Sequence, residues 1–359
     1  VSLIFTFKGV RMSKRGLLLA LCIAQVAVSA GAAPRVLRVL THSSFAATPS
    51  VIAAFEAANG VKVQFSAGGD GGETLTKAIL SKNSPLADVL YGVDNTFLGR
   101  ALAADILTPY ASPALASIPA ALQVDATHRM LPVDFGYIAL NYDRKFFAEK
   151  ALAVPQTLED LAAAPARGLL VVENPATSTP GLAFLLATIA HFGGTGSSTW
   201  QSYWSALRKN DVLVVNGWEE AYYNEFSAQG KGRRPIVVSY ATSPAYELNS
   251  AADPKPAVPP TGNILPEGAS FRQIEFVGIL KGAREPELAR KFVDFMLSET
   301  FQADIPLQMW VYPSNARAPV PDLFRKFAPV PAMPAAIEPA VIETNRDSWI
   351  KAWTQIVLK

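Results

Sequence analysis

Three segments between Glu173 and Tyr246 concentrate the side chains able to do chemistry. Asn174-Pro-Ala-Thr-Ser-Thr-Pro-Gly-Leu182 is a hydroxyl-rich turn opening a helix. Asn216-Gly-Trp-Glu-Glu-Ala-Tyr222 sets an indole between a glycine and two carboxylates. Val238-Ser-Tyr-Ala-Thr-Ser-Pro-Ala-Tyr246 ends an apolar strand in hydroxyls and phenols. Together they offer hydroxyl donors, flat aromatic faces and a few negative charges, with no nucleophile–base pair and no metal-ligand cluster. Aromatic faces attract cations, so this set is suited to holding a small, flat, cationic molecule rather than transforming one.

Around these residues, strands alternate with helices. Pro34 to Leu40 reads as a first strand. Thr48, as a candidate cap, and Pro49 open a helix that Gly60 ends. Val61 to Phe65 and Ala87 to Tyr91 are further strands, with helices after Gly68-Gly-Asp-Gly-Gly-Glu73 and from Phe97 to Ile106. Such alternation implies a parallel sheet covered on both faces, with ligands gathering at the carboxyl ends of its strands. Asp70 and the pair Asp94-Asn95 fall at those ends. The glycine run 68–72 lacks the lysine and Ser/Thr of a nucleotide loop.

Leu131 to Asp143 reads as a longer strand, after which a second α/β passage runs to Tyr240. A proline-rich loop then leads to the strand around Ile274-Glu-Phe-Val-Gly-Ile-Leu280 and the amphipathic helix Glu285 to Leu297. The tail ends in a helix containing Trp349 and Trp353, and no repeat of fixed period is present. The expected fold is α/β with two lobes, each a mainly parallel sheet flanked by helices. Phe135–Asn141 and Ile274–Ile279 are the expected hinge strands, and domain interfaces commonly house small-ligand pockets. The expected divisions are 34–136 with 275–312, and 137–274 with 313–359.

The N-terminal 33 residues read as a leader. Met12-Ser-Lys-Arg15 is a basic head, followed by an apolar run to Val28 and the small residues Ser29-Ala-Gly-Ala-Ala33. This is the layout of a secretory signal peptide, expected to be cleaved near Ala30 to Ala33. Its apolar run is short for a span of about 20 residues. Val1 to Arg11 lie upstream of the expected start at Met12. Cys22, the one cysteine, lies in that run behind Leu21, where a lipid-modified cysteine would follow a small residue. The exported chain would therefore lack disulfides, thiolate chemistry and cysteine-bound metals. Lys8, Arg11, Lys14 and Arg15 leave with the leader, so 32 basic against 30 acidic residues becomes 28 against 30, a formal −2. Nucleic-acid binders need clustered basic residues and a high pI, and this balance excludes that class.

Further residues point to a family: Ser44-Phe-Ala-Ala47, Asp70-Gly71, Gly92-Val-Asp-Asn95, Asp134-Phe-Gly-Tyr137, Thr177 to Leu182, Gly217-Trp218 with Glu220-Ala-Tyr222, Ser239-Tyr240 with Thr242 to Tyr246, and Trp310 in Met309-Trp-Val-Tyr-Pro313. On these, nearly all of the mature chain resembles the bacterial periplasmic thiamine-binding proteins, soluble receptors of a thiamine import transporter with the type II periplasmic binding-protein fold. The chain departs from that pattern at His42, where the family often has tyrosine. It also lacks a short Trp- and Gly-containing insertion after Ala47.

The resemblance implies a monomeric periplasmic receptor that is not an enzyme, uses no cofactor or metal, and delivers thiamine or its phosphates to an inner-membrane ABC permease. It implies that Trp218, Tyr240, Tyr246 and Trp310 stack on the ligand. Asp70, with Gly71, and Asp94, with Asn95, would neutralise the thiazolium or accept from the exocyclic amine, although Asp94-Asn95 equally suits a helix cap. Ser178 and Thr179, by helix capping or by ligand contact, and Thr242 and Ser243 after Ala241 would meet the hydroxyethyl or phosphate arm. Tyr137 would face the cleft from the hinge. Closure would bring Asp70, Asp94 and Trp310 from one lobe against Ser178, Trp218 and Tyr240 from the other. Two other classes stay open. Tyr222-Tyr223 suits a ferric-ion receptor, with a polyamine or another heterocyclic cation as further ligands, and an exported hydrolase of thiamine phosphates would need an activated nucleophile.

Overall fold

In the computed structural model, residues 35–229, 232–335 and 337–359 are described; the expected leader and Cys22 lie outside them. The strands among these are β1 (Arg35–Thr41), β2 (Val61–Ala67), β3 (Val89–Asp94), β4 (Leu107–Thr108), β5 (Leu131–Asp143), β6 (Leu170–Glu173), β7 (Leu213–Val215), β8 (Ile236–Tyr240), β9 (Thr261–Ile264), β10 (Arg272–Leu280) and β11 (Tyr312–Pro313). Eight of them run in the order β2-β1-β3-β10-β5-β8-β6-β7, with β4 on β10 and both β9 and β11 on β5.

The long strand β5 organises two lobes. Its first half, Leu131 to Tyr137, pairs antiparallel with β10, while its second half, Ile138 to Asp143, pairs antiparallel with β8 and β9. Its neighbours therefore change between Tyr137 and Ile138. The expected parallel pairing holds for β1 with β3 and for β6 with β7 and β8. Where β5 and β10 insert, the pairing is antiparallel, because neither belongs to a βαβ unit; such mixed sheets are common. Of the two expected hinge strands only β5 crosses between lobes, Ile274–Ile279 staying within one. Strand β10 lies wholly beside β3, β4 and the first half of β5. The return between lobes is thus made by the segment between β9 and β10.

The helices follow local chemistry. Helix Pro49–Asn59 starts on its proline and ends at Gly60, whose φ of 59° is the left-handed conformation glycine tolerates. Thr48 does not cap it: its hydroxyl and N–H both donate to Asp304, at 2.6 and 2.7 Å, tying the helix start to a distant loop. Helix Pro286–Met296 buries Leu288, Ala289, Phe292, Val293 and Met296, the expected stripe. Helix Thr179–Phe192 is apolar nearly all round because it is buried among strands on several sides.

The C-terminal helix Pro339–Val357 touches both lobes. Near its start, Arg346 lies over Phe97 at 4.9 Å; near its end, Trp353 meets Trp204 edge-on at 5.5 Å, both fully buried. An aromatic pair of this kind adds about 0.5–1.5 kcal/mol beyond its area. Residues Val36–Lys359 consequently form one compact unit, with an apolar core continuous from β1 to the terminal helix.

Candidate functional site

Where the two halves of β5 meet, side chains from both lobes enclose a cavity of about 70 Å³. Its aromatic wall is Trp218, Tyr222, Tyr223, Tyr240, Tyr246 and Trp310; its opposite end carries His42, Asp134, Gln273 and Glu275. Trp218 and Tyr223 also line a wider outer groove of about 490 Å³ that includes Asp70, Glu73, Glu219 and Glu220. These two rings therefore partition the inner cavity from the groove.

Each ring is held by a specific partner. The Trp218 indole stacks on Tyr222 at 4.9 Å and 20°, and its Nε1 donates to Ser239 Oγ at 2.7 Å. Ser239 in turn lies 3.1 Å from Ser243 Oγ. Tyr222, fully buried, donates to Glu247 Oε1 at 2.5 Å. The Tyr240 hydroxyl donates to Gln273 Oε1 at 3.0 Å. Its ring crosses β5 at Gly136, where a Cβ would come within 3.1 Å of it. Trp310 adopts a φ of 57°, uncommon for a bulky residue. It sits between Tyr246 and Phe324, with its carbonyl accepting from Thr242 Oγ1. Trp310, expected to come from the lobe opposite Tyr240, lines the same cavity as Tyr240 and packs against Tyr246.

The polar end is built from neighbouring strands. Glu275 on β10 lies directly across from Asp134 on β5 and from Asp94 on β3, so three carboxyl groups form one row. Like charges in opposed positions repel, and the surroundings redistribute protons accordingly. Tyr91 donates to Asp134 Oδ2 at 2.5 Å and lies 3.2 Å from Glu275 Oε2. His42 Nε2 is 3.4 Å from Glu275 Oε2. Its imidazole fits because Gly92, at a φ of 88°, has no Cβ; one there would overlap His42 Cδ2.

Burial and the adjacent Glu275 raise the Asp134 pKa well above the carboxylate range. Burial would raise Glu275 too, but His42 and hydrogen bonds from Tyr91 and Asp134 bring it below its ordinary value. Burial would lower His42, yet Glu275, helped by Asp70 and Glu219, leaves it raised. The pattern is one ion pair, Glu275 with His42, beside a protonated Asp134. Among the described residues no hydrogen-bond donor reaches the buried Asp134 Oδ1, and the buried His42 Nε2 meets Glu275 as an ion pair without hydrogen-bond geometry.

Of the residues expected from sequence, Trp218, Tyr240, Thr242, Ser243, Tyr246 and Trp310 line the cavity, and Asp70 lines the outer groove. Asp70 caps helix Gly71–Leu80 by accepting from Gly71 N, and it also accepts from Trp218 N across the cleft at 3.2 Å. The others stand elsewhere. Gly71 is buried as the first residue of that helix. Asp94 lies outside the cavity lining, its Oδ1 accepting from Thr96 N and Oγ1 at 3.0 and 2.6 Å. Asn95 grips β10 through Ile274 N and Arg272 O. Tyr137 and Ala241 pack together with Ala139, Phe135 and Leu265. Ser178 caps its helix through Gly181 N, and Thr179 Oγ1 accepts from Gln273 Nε2 at 3.1 Å. Asp94, Asn95, Ser178 and Thr179 thus take the structural role that their positions at element ends allow. The residues missed are His42, Asp134, Gln273 and Glu275. For Asp134 and Glu275 the trace in the sequence is an acid in the interior of an apolar strand, PVDFGYIALNYD and RQIEFVGIL.

Comparison with known proteins places this geometry. The family described as bacterial extracellular solute-binding protein matches residues 84–351. The thiamine-binding periplasmic protein of Escherichia coli (strain K12) is 33% identical over 345 residues, covering 95% of this chain and 97% of that protein. That of Salmonella typhimurium is 32% identical over 330 residues, covering 90% and 93%. A solved periplasmic thiamin-binding protein superposes with a TM-score of 0.77 at 30% identity, covering 91% of this chain and 99% of that one. The ferric binding protein from Campylobacter jejuni shares the fold, with a TM-score of 0.70 at 20% identity. With two lobes, an aromatic cleft and matches of this extent, the chain belongs to the bacterial extracellular solute-binding proteins.

Proposed function

We propose that this protein is a periplasmic receptor that captures thiamine in its interlobe cleft and passes it to an inner-membrane ABC permease. One observation carries the reading: six aromatic rings and the carboxyl groups of Asp134 and Glu275 line a single cavity, matching a ligand that joins flat rings to a permanent positive charge. Each cation–ring contact in a water-poor cleft is worth about 0.5–2 kcal/mol. The names of the relatives agree with this ligand.

An inner space of about 70 Å³ is small beside the roughly 300 Å³ or more usual for ligand pockets. Binding therefore requires Trp218 and Tyr223 to swing or the lobes to part, joining the cavity to the outer groove. The contacts that would break are Trp218 N–H to Asp70 and Ser44 Oγ to Glu219. Bending is assigned to β5 near Tyr137 and to the segment before β10, so that Arg272–Leu280 moves whole with the lobe built on β1 and β3. The receptor acts as a monomer and is a binder, not a catalyst. Thr242 and Ser243 direct their hydroxyls to Trp310 O and Ser239, and among the described residues neither is hydrogen-bonded to His42. A ferric site would need both phenols, and Tyr222 has given its hydroxyl to Glu247.

Titration calorimetry with thiamine, its monophosphate, spermidine and ferric citrate tests the assignment. Heat with thiamine at micromolar protein is expected; heat with spermidine or iron alone would overturn it. Free phosphate appearing on incubation with thiamine monophosphate would overturn the non-enzymatic reading.

A further inference from the structure

We infer that the inner end of the cavity is a proton–cation exchange site: when a cationic ligand settles against Asp134 and Glu275, Asp134 ionises and one proton leaves the protein. This deepens the thiamine reading and rests on it.

The row Asp94–Glu275–Asp134 crosses three adjacent strands, and among the described residues no lysine or arginine lines the cavity. Among those residues His42 is the one basic group at that end, and its charge offsets one carboxylate only. The Tyr91 hydroxyl has a single hydrogen to share between Asp134 and Glu275. Two charges side by side in a buried site do not both persist without compensation, so the free protein keeps a proton on Asp134. Among the described residues no hydrogen-bond donor reaches the buried Asp134 Oδ1, and once the carboxyl ionises a ligand can supply one.

A ligand cation removes the need for that proton. The balance is carboxylic acid plus ligand cation giving carboxylate–cation pair plus a proton released to solvent; no bond to the ligand forms or breaks. The groups facing this pair are Tyr91 and Asp94 from β3, Gln273 and Glu275 from β10, and Tyr240 from β8. Asp70 at its helix start and Glu219 face it from the cleft. His42, just after β1, faces it through Glu275 at 3.4 Å and is the rival proton source.

Affinity should then rise with pH, about tenfold per unit while Asp134 is protonated in the free protein and ionised in the complex, and level off above that range. The direct test is calorimetry of the full chain with thiamine near pH 7 in phosphate and in Tris, whose ionisation heats differ. About one proton released per thiamine is expected, read from the difference in apparent enthalpy. The free thiazole 5-(2-hydroxyethyl)-4-methylthiazole, uncharged near pH 7 and lacking the thiazolium charge, should release none as a neutral probe. Equal enthalpies in both buffers with thiamine bound would overturn the exchange and leave the thiamine reading intact. Absence of binding would overturn both. Asp134→Asn should bind about tenfold more weakly and release no proton, whereas His42→Gln should still release one. The reverse outcome would overturn the assignment to Asp134. Should Asp134→Asn fail to fold, the wild-type buffer series and His42→Gln decide.

Discussion

Replacing Asp94 by asparagine should make the protein's stability less sensitive to pH while leaving thiamine affinity unchanged. Asp94 is fully buried, and its pKa is pushed up to about 8, first by burial and then by Glu275, against the opposing hydrogen bonds from Thr96. A carboxyl whose folded pKa exceeds its unfolded value of about 3.9 contributes stability that is complete below that value. The contribution is lost as pH rises through the folded pKa. In the window from about pH 4 to pH 8 the wild-type protein should therefore lose up to about 1.4 kcal/mol per pH unit from this group. Between pH 5 and 7 that is at most about 2.7 kcal/mol, or about 5 °C in Tm for a chain of this size. The amide oxygen of the introduced asparagine keeps an acceptor for Thr96 N and Oγ1, and the side chain cannot ionise. Any constant cost of the amide cancels when the pH dependence of the two proteins is compared. Differential scanning fluorimetry at pH 5, 6 and 7 measures it. Parallel Tm curves for wild type and variant would refute the reasoning, because they would mean that Asp94 is ionised and compensated in the folded state.

Three other substitutions probe the site and its supports. Trp218→Ala should weaken thiamine binding by at least about 1 kcal/mol, roughly fivefold by calorimetry, and unchanged affinity would remove the indole from the site. Gly92→Ala forces an L-residue into a left-handed conformation with its Cβ against His42 Cδ2. A loss of about 1–2 kcal/mol from the backbone alone is expected in thermal unfolding, and an unaltered Tm would contradict it. Glu247→Ala strands the buried hydroxyls of Tyr222 and Thr261, at about 1–3 kcal/mol each. Urea unfolding that showed less than about 1 kcal/mol would mean that neither hydroxyl depends on this carboxylate.

How much of this was legible beforehand varies with the physics of each residue. The segment Tyr240 to Tyr246 was readable because an apolar strand ending in hydroxyls and phenols has few structural reasons to do so, and four of its members line the cavity. Trp218 was readable because a glycine precedes it at a strand–helix junction. Asp94, Asn95 and Ser178 misled because the ends of strands and helices demand side-chain hydrogen bonds whether or not a ligand is near. Asp134 and Glu275 were hidden for the opposite reason. Each stands alone in an apolar strand, and only the register of β5 against β10 brings them face to face. Register depends on long-range pairing, which local periodicity does not contain. The expected parallel sheets were right for the βαβ units and missed the antiparallel insertion of β5 and β10, since strand direction between distant segments leaves no local trace.

That register has a mechanical consequence. Asp134, Gly136 and Tyr137 lie within four residues on β5, and the strand changes partners immediately after Tyr137. The carboxyl group proposed to meet the ligand, the glycine that admits the Tyr240 ring and the proposed point of bending therefore share one short piece of backbone. A rotation of the second lobe about Tyr137 must carry Tyr240 across Gly136 and alter its 3.0 Å contact with Gln273, two residues from Glu275. In the proposed closure, ligand charge and lobe angle would then be read by the same residues, so neither could change without the other. A receptor whose site lay on loops away from β5 would close without sensing what it held; here the strand proposed to bend is also the strand proposed to bind.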